Sequence, residues 1–212
     1  MNVTDLYHQF LTDIQHTSWL EFIAVLAGII SVWASRNENI WVYPTGLLNT
    51  TAYIYLSFKS SLLGEASVNF YYTVLNIYGW VLWTRKGPGQ ETVLRISRSS
   101  RKEWVQQIAF FSGFYLVVFF ALTYLKKDFA PQAIPWADAF ASATAYTGMW
   151  LMAKKKVESW YWWIATNVSS IPLYFIKHYV FTSVYYVILL AMAVSGLLEW
   201  GRRVKERNYA AA

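Results

Sequence analysis

The stretch WYWWIATNVSSIPLYFIK, residues 160–177, is nearly long enough to cross a bilayer, yet it holds Thr166, Asn167, Ser169, Ser170 and Tyr174 and a central Pro172. A membrane helix needs about 20 mostly apolar residues to span the hydrocarbon. Inside that layer every polar group without a partner is costly, so a span this polar must face protein or water. The segment reads as a lining rather than a lipid-facing wall.

Six more apolar runs accompany it, at about 19–34, 40–58, 67–84, 104–125, 136–153 and 181–200, with the lining itself at about 160–176. Across the chain of 212 residues, 56% are hydrophobic and 14% charged, a balance outside the soluble globular range. The expected fold is an all-α polytopic membrane protein, one membrane domain over residues 1–212 with seven transmembrane helices. There is no cysteine, which removes disulfides, thiolate metal sites and a cysteine nucleophile. The net charge of +6 lies between the apolar runs, so it marks topology rather than a nucleic-acid partner. Residues 1–18 carry no Lys or Arg, unlike a cleavable signal peptide, and are expected to form a short non-cytoplasmic tail. Of the 18 basic residues only Lys59, Lys126, Lys127 and Lys177 fall on the side of the even-numbered connections. The positive-inside rule then sets the N-terminus outside and the C-terminus in the cytoplasm. The long polar connection from Arg85 to Lys102 is expected to be a linker with an amphipathic tail whose basic residues touch anionic lipid.

The chain also matches itself. At an offset of 121, Trp41 pairs with Trp162, Thr45 with Thr166 and Tyr53 with Tyr174; at 117, Gly79 pairs with Gly196 and Trp83 with Trp200. Spans one to three (about 19–84) therefore echo spans five to seven (about 136–200). Two like-oriented triplets require one extra span between them, and the plain fourth span (about 104–125) supplies it. That is a 3+1+3 parallel repeat, the SWEET-like plan that holds its substrate between repeats near the midplane.

The segment KKKVESWYWWIATNVSSIPLYFIK, with Asp138 ahead of it and NIYGWVLW at residues 76–83, resembles the PnuC family of bacterial nicotinamide riboside transporters. The resemblance covers nearly all seven spans and is most specific in Trp160-x-x-Trp163-x-x-x-Asn167, Ile171-Pro172-Leu173-Tyr174 and Lys177. Membership would imply a homotrimer in the bacterial inner membrane that carries the unphosphorylated vitamin precursor for NAD biosynthesis by facilitated diffusion. A cytoplasmic kinase would trap the product. Gly148-Met149-Trp150 departs from the family, where a glutamine before the tryptophan is expected. Relatives in that family carry thiamine or riboflavin, so these vitamins, or a sugar in the same scaffold, are alternative cargo.

Nicotinamide riboside presents a pyridinium cation, a carboxamide and a ribose. Aromatic faces suit the first and amide or hydroxyl groups the other two. Trp160, Trp163, Asn167 and Tyr174 recur at helical spacing on span six; Asn69, Asn76 and Trp80 do so on span three. With Asn49 and Tyr53 of span two and Trp150 of span five, these form the candidate substrate-binding set. Each has a plainer alternative: an interfacial belt for Trp160 and Trp163, interhelical glue for Asn76 and Asn167. Trp33, Trp83 and Trp200 are expected in belts, and Lys177 is expected to snorkel to the surface.

No carboxylate lies at mid-span to relay protons or hold a coupling ion, which points to a uniporter. No phosphate loop couples the chain to ATP, and the three histidines make no metal spacing. No catalytic residue, cofactor or metal site is expected. Two alternatives of other classes are a seven-span receptor and a membrane-embedded enzyme, but a retinal sensor would need a lysine in the last span, where residues 181–200 contain none, and the enzyme would need a carboxylate or histidine cluster at depth.

Overall fold

In the computed structural model the described residues are 12, 18–59, 63–88, 92–126, 131, 133–177 and 179–210. They form seven helices: α1 (Trp19–Arg36), α2 (Val42–Lys59), α3 (Leu63–Thr84), α4 (Arg101–Leu125), α5 (Pro135–Ala153), α6 (Ser159–Ile176) and α7 (Val180–Ala210). Most of the expected tail at 1–18 lies outside the described residues. Local signals set the helix starts. Ser18 caps α1 through its hydroxyl, Ser100 and Glu103 make a reciprocal capping box on α4, and Pro135 opens α5. Pro172 sits inside α6 without ending it. The one large difference in extent is α7, which runs ten residues past Trp200.

Among the described residues α1, α4 and α7 are each long and apolar enough to cross a membrane by composition alone. The other four are more polar because of where they sit. Neighbouring helices pair as α1 with α2, α2 with α3, α3 with α5, α5 with α6, α6 with α7, and α7 with α1. Six helices thus close a ring, and polar faces can turn toward its interior. The seventh, α4, packs outside against α5.

One end of the ring is sealed by an apolar cluster, which includes Tyr43, Trp83, Met152, Val157, Trp160, Trp200 and Val204. We call this cluster the floor. Two contacts in it have the same form. Tyr43 meets Trp83 edge-on at 5.2 Å, and Trp160 meets Trp200 edge-on at 5.5 Å. A Cβ on Gly79 would stand 2.5 Å from the Tyr43 ring, and one on Gly196 would stand 2.5 Å from the Trp160 ring. Trp83 Nε1 donates to the carbonyl of Ala153 at 3.2 Å, while Trp200 Nε1 donates to those of Ser35 and Arg36 at 3.1 Å. Between the two groups, Ser35 Oγ donates to Met152 Sδ at 2.8 Å, and Lys155 Nζ bridges to Glu38 Oε1 at 2.6 Å. Glu38 and Lys155 are also the two non-glycine residues with positive φ among the described residues, at 59° and 51°. Both turns are left-handed and both precede a ring helix.

The floor corrects several expectations. Trp83 and Trp200 are not belt residues; Trp200 is 0% exposed and Trp83 is buried beside it. Only Trp33, 55% exposed, stands as a belt residue would. Lys177 does not snorkel freely, since its ammonium is held by Asp138 at 2.6 Å. The connection before α4 is not a loose tail either. Ser97 pairs with the α5–α6 turn, receiving from Val157 N and donating to Lys155 O at 3.0 Å, and Ile96 is buried in the floor. Glu158 accepts from Ser99 N and Oγ at 2.9 and 2.8 Å, and Arg207 of α7 donates to Ile96 O at 2.7 Å. Residues 96–99 are therefore a strap across the floor, satisfied because their backbone groups find partners there.

Candidate substrate-binding site

Counting from the floor locates a polar layer. Thr50 lies seven residues from Tyr43, Asn167 seven from Trp160, and Asn76 seven from Trp83; Tyr146 of α5 lies seven from Ala153. Seven residues are two turns, about 10 Å of rise, so each stands two turns along its helix from its floor residue, and the four make a polar layer above the floor. Thr50, Asn76, Asn167 and Tyr146 are all buried. Thr50 and Thr73 share a hydroxyl hydrogen bond at 2.9 Å, and Thr166 donates to Thr144 at 3.0 Å.

The two asparagines differ from these threonines. Asn76 and Asn167 are each 3% exposed, yet their amides make no hydrogen bond to any described residue. Neither is glue between helices. Asn76 fits because position 46 is glycine: a Cβ there would meet its Oδ1 at 2.6 Å. The result is two primary amides inside a helical ring with free donors and acceptors.

Aromatic rings stand next to them. Trp163, one turn below Asn167 on α6, lies against Gly148 of α5, where an added Cβ would meet the indole at 3.2 Å. Its other neighbour is Tyr72 of α3, at 6.3 Å between centroids. Tyr72 in turn meets Tyr146 edge-on at 6.2 Å, and Tyr71 packs on Tyr146 at 4.6 Å while donating to its carbonyl at 3.2 Å. Tyr186 of α7 stacks on Tyr174 at 5.2 Å and is an electrostatic neighbour of Tyr72. Rings from α3, α5, α6 and α7 thus border the amide layer, and no Lys, Arg, Asp or Glu belongs to it.

The expected residues divide accordingly. Asn76 and Asn167 are buried on α3 and α6, Trp163 packs against Tyr72 and Gly148, and Tyr174 stacks on Tyr186. Trp160 is 1% exposed and built into the floor against Gly196, so it seals the ring rather than lining it. Asn49 spends its Nδ2 on the Ala24 carbonyl at 2.7 Å, joining α2 to α1. Trp150 is stacked on Phe110 of α4 at 4.7 Å under the Lys154 ammonium, outside the ring. Trp80 is 37% exposed with Ile77 and Val81, on the outer face of α3. Tyr53 and Asn69 are half-buried on α2 and α3.

Tyr72 and Tyr146 were absent from the expected set. The signal for Tyr146 was present: it is the single large residue in the buried run Ala143–Gly148, where small neighbours let helices close around it. A surface crevice of about 230 Å³ lies elsewhere, between α1 and α7, and is lined by none of these residues.

The chain resembles known transport proteins over most of its length. A family model described as nicotinamide mononucleotide transporter matches residues 18–202. The nicotinamide riboside transporter PnuC of Escherichia coli (strain K12) is 27% identical over 211 residues, covering 90% of this chain and 88% of that protein. The riboflavin/roseoflavin transporter RibM of Streptomyces davaonensis is 24% identical over 193 residues, covering 89% and 87%. A crystal structure of the vitamin B3 transporter PnuC superposes with a TM-score of 0.72 at 22% identity, covering 95% of this chain and 88% of that one, a likeness of fold.

Proposed function

This chain belongs to the nicotinamide mononucleotide transporter family, a family of membrane transporters rather than enzymes, and from that premise we propose that its cargo is nicotinamide riboside. The observation that carries the proposal is the pair of unengaged amides, Asn76 and Asn167, beside Trp163 and the tyrosines. An amide offers both a donor and an acceptor to a carboxamide or a ribose hydroxyl. A pyridinium ring is attracted to an aromatic face by about 0.5 to 2 kcal/mol. The site residues of this reading are Asn76, Trp163 and Asn167, with Thr50, Tyr72 and Tyr146 completing the wall and Tyr174 and Tyr186 above it.

Although the family description names the mononucleotide, the layer offers no cation for a phosphate. Lys155 is paired with Glu38 and Lys177 with Asp138. A phosphate brings a charge of about −1.5 to −2 that would stand unpaired there. The riboside is therefore the better fit, and its later phosphorylation in the cytoplasm would trap it.

The remaining parts of the reading follow from this. The absence of charge in the layer supports uniport by facilitated diffusion. The 3+1+3 plan, with repeats at about 19–84 and 136–200, is supported by the floor. Tyr43, Gly79 and Trp83 stand 117 residues from Trp160, Gly196 and Trp200, and Ser35 and Glu38 touch residues 117 further on. A single offset of 117 thus suits the floor contacts better than the 121 suggested by Trp41 and Trp162. The distribution of basic residues supports a bacterial inner membrane protein with the N-terminus outside and the floor toward the cytoplasm. The homotrimer rests on the family resemblance alone.

Calorimetric titration of the detergent-purified protein with nicotinamide riboside, its mononucleotide, thiamine and riboflavin tests the proposal. Saturable binding of the riboside alone is expected. Equal affinity for the mononucleotide would refute the uncharged layer as the site, and preference for riboflavin would keep the carrier and replace its cargo.

A further inference from the structure

The crevice between α1 and α7 lies at the floor end of the bundle and opens outward. Val32, Trp33 and Arg36 line it from α1, and Ala191, Met192 and Ser195 from α7. Trp33 and Ala191 are exposed, so the opening faces the surroundings of the ring, not the amide layer. Arg36 is the last residue of α1. Its Nε is shut off from solvent and has no hydrogen-bond partner, and its guanidinium makes no ion pair with any described residue. Nearby carboxylates are already engaged: Glu199 by Arg202 and Arg203, and Glu38 by Lys155 and Arg203.

An arginine with a dry, unpartnered N–H at the head of an apolar slot calls for an anion. A phosphodiester takes a guanidinium bidentately, and the Ser195 hydroxyl is a second donor beside it. What lies below the head gives the class of molecule. Leu26, Ile30 and Trp33 follow one another on one face of α1, and Val184, Ile188 and Ala191 on one face of α7, all exposed. From Arg36 to Leu26 this track runs about 15 Å, half the thickness of the hydrocarbon core. A charged head at the boundary and an apolar track one leaflet deep match a phospholipid.

We infer that this crevice binds an anionic phospholipid, with Arg36 and Ser195 on the phosphate and an acyl chain along α1 and α7. The inference rests on the membrane setting of the fold and not on the identity of the cargo.

The test uses full-length detergent-purified protein, with native mass spectrometry and thermal unfolding as readouts. The probes are phosphatidylglycerol, phosphatidylcholine with the same chains, and inorganic phosphate. Phosphatidylglycerol should bind and stabilise the wild type above the other two. Arg36→Gln should weaken that binding about five- to tenfold, whereas Arg202→Gln, on the exposed end of α7, should not. Ala191→Phe fills the slot while leaving Arg36 in place and should abolish the preference, so the inference stays testable if Arg36→Gln folds poorly. Equal binding of the two lipids to the wild type, or an unchanged preference in Ala191→Phe, would overturn it. A change of oligomeric state in Ala191→Phe with lipid preference intact would overturn it too, and would make the crevice a contact between copies of the chain.

Discussion

Replacing Gly196 by alanine puts the packing of the floor to a quantitative test. The new methyl would stand 2.5 Å from three-bonded carbons of the Trp160 ring, closer than real carbon contacts occur. Trp160 cannot swing away, because it is 1% exposed and held edge-on by Trp200, itself buried. Overpacking of this kind costs about 1 to 3 kcal/mol. Against it stands a gain of about 0.8 to 1 kcal/mol from replacing glycine in a helix. The net expectation is destabilisation of up to about 2 kcal/mol. Gly79→Ala, which meets Tyr43 in the same way, should behave alike. Gly113→Ala in α4 is the control, since nothing lies within 4 Å of its Cβ; it should be neutral or stabilising. Thermal unfolding in detergent, followed by loss of the monodisperse chromatographic peak, reads all three. The reasoning fails if Gly196→Ala is more stable than wild type, or if Gly113→Ala is destabilised as much as Gly196→Ala.

Three more expectations concern the site and its surroundings. Trp163→Ala and Asn167→Ala should each weaken riboside binding about tenfold or more, consistent with about 1.5 to 2 kcal/mol per contact; Trp80→Ala and Trp150→Ala should stay within about threefold, and a uniform loss across all four in calorimetry would disprove the site. Lys155→Met removes both the Glu38 bridge and the ammonium 4.4 Å above Trp83; because Arg203 still reaches Glu38 at 3.3 Å, the loss should be about 1 to 3 kcal/mol rather than the larger cost of an orphaned buried charge, and a double-mutant cycle with Glu38→Gln showing no coupling would contradict the bridge. The Glu103 carboxyl, outside the membrane at the start of α4, is held below its ordinary value of 4.5 by Lys156 first and the Ser100 backbone N–H second. Its contribution is therefore present above pH 4.5 and lost as pH falls through the lower folded value; the unfolding curves of wild type and Glu103→Gln should converge there, and a constant gap down to pH 3 would contradict it.

The sequence is legible where one helix decides the matter. Apart from the far end of α7, the seven spans fall within a few residues of the seven helices because apolar length is a local property. The inward face of α6 is readable from spacing, since Asn167 is buried and Trp163 packs against Tyr72 and Gly148. Trp83, Trp160 and Trp200 were misassigned for a physical reason. An interfacial tryptophan and one folded into the closing end of a bundle occupy the same place along a helix, and only the neighbouring helix separates them. Tyr72 and Tyr146 depend on contacts between α3, α5 and α6 that no single segment contains. The 96–99 strap looked like a linker because its partners, Val157 and Glu158, are some 60 residues away. The self-match at 121 followed identical side chains, whereas the contacts equate unlike ones, Tyr43 with Trp160.

That unlikeness reaches its sharpest form at Glu38 and Lys155. If the two triplets were separate and identical subunits, the meeting point of their turns would confront acid with acid or base with base. On the proposed 3+1+3 plan, opposite charges there would make each triplet a mate for the other and a poor mate for itself. A first half expressed alone would find no reason to pair with its own kind. On that plan the fourth helix, standing outside the ring, would tether one partner of each sort in every chain, so that covalent linkage fixes which halves pair.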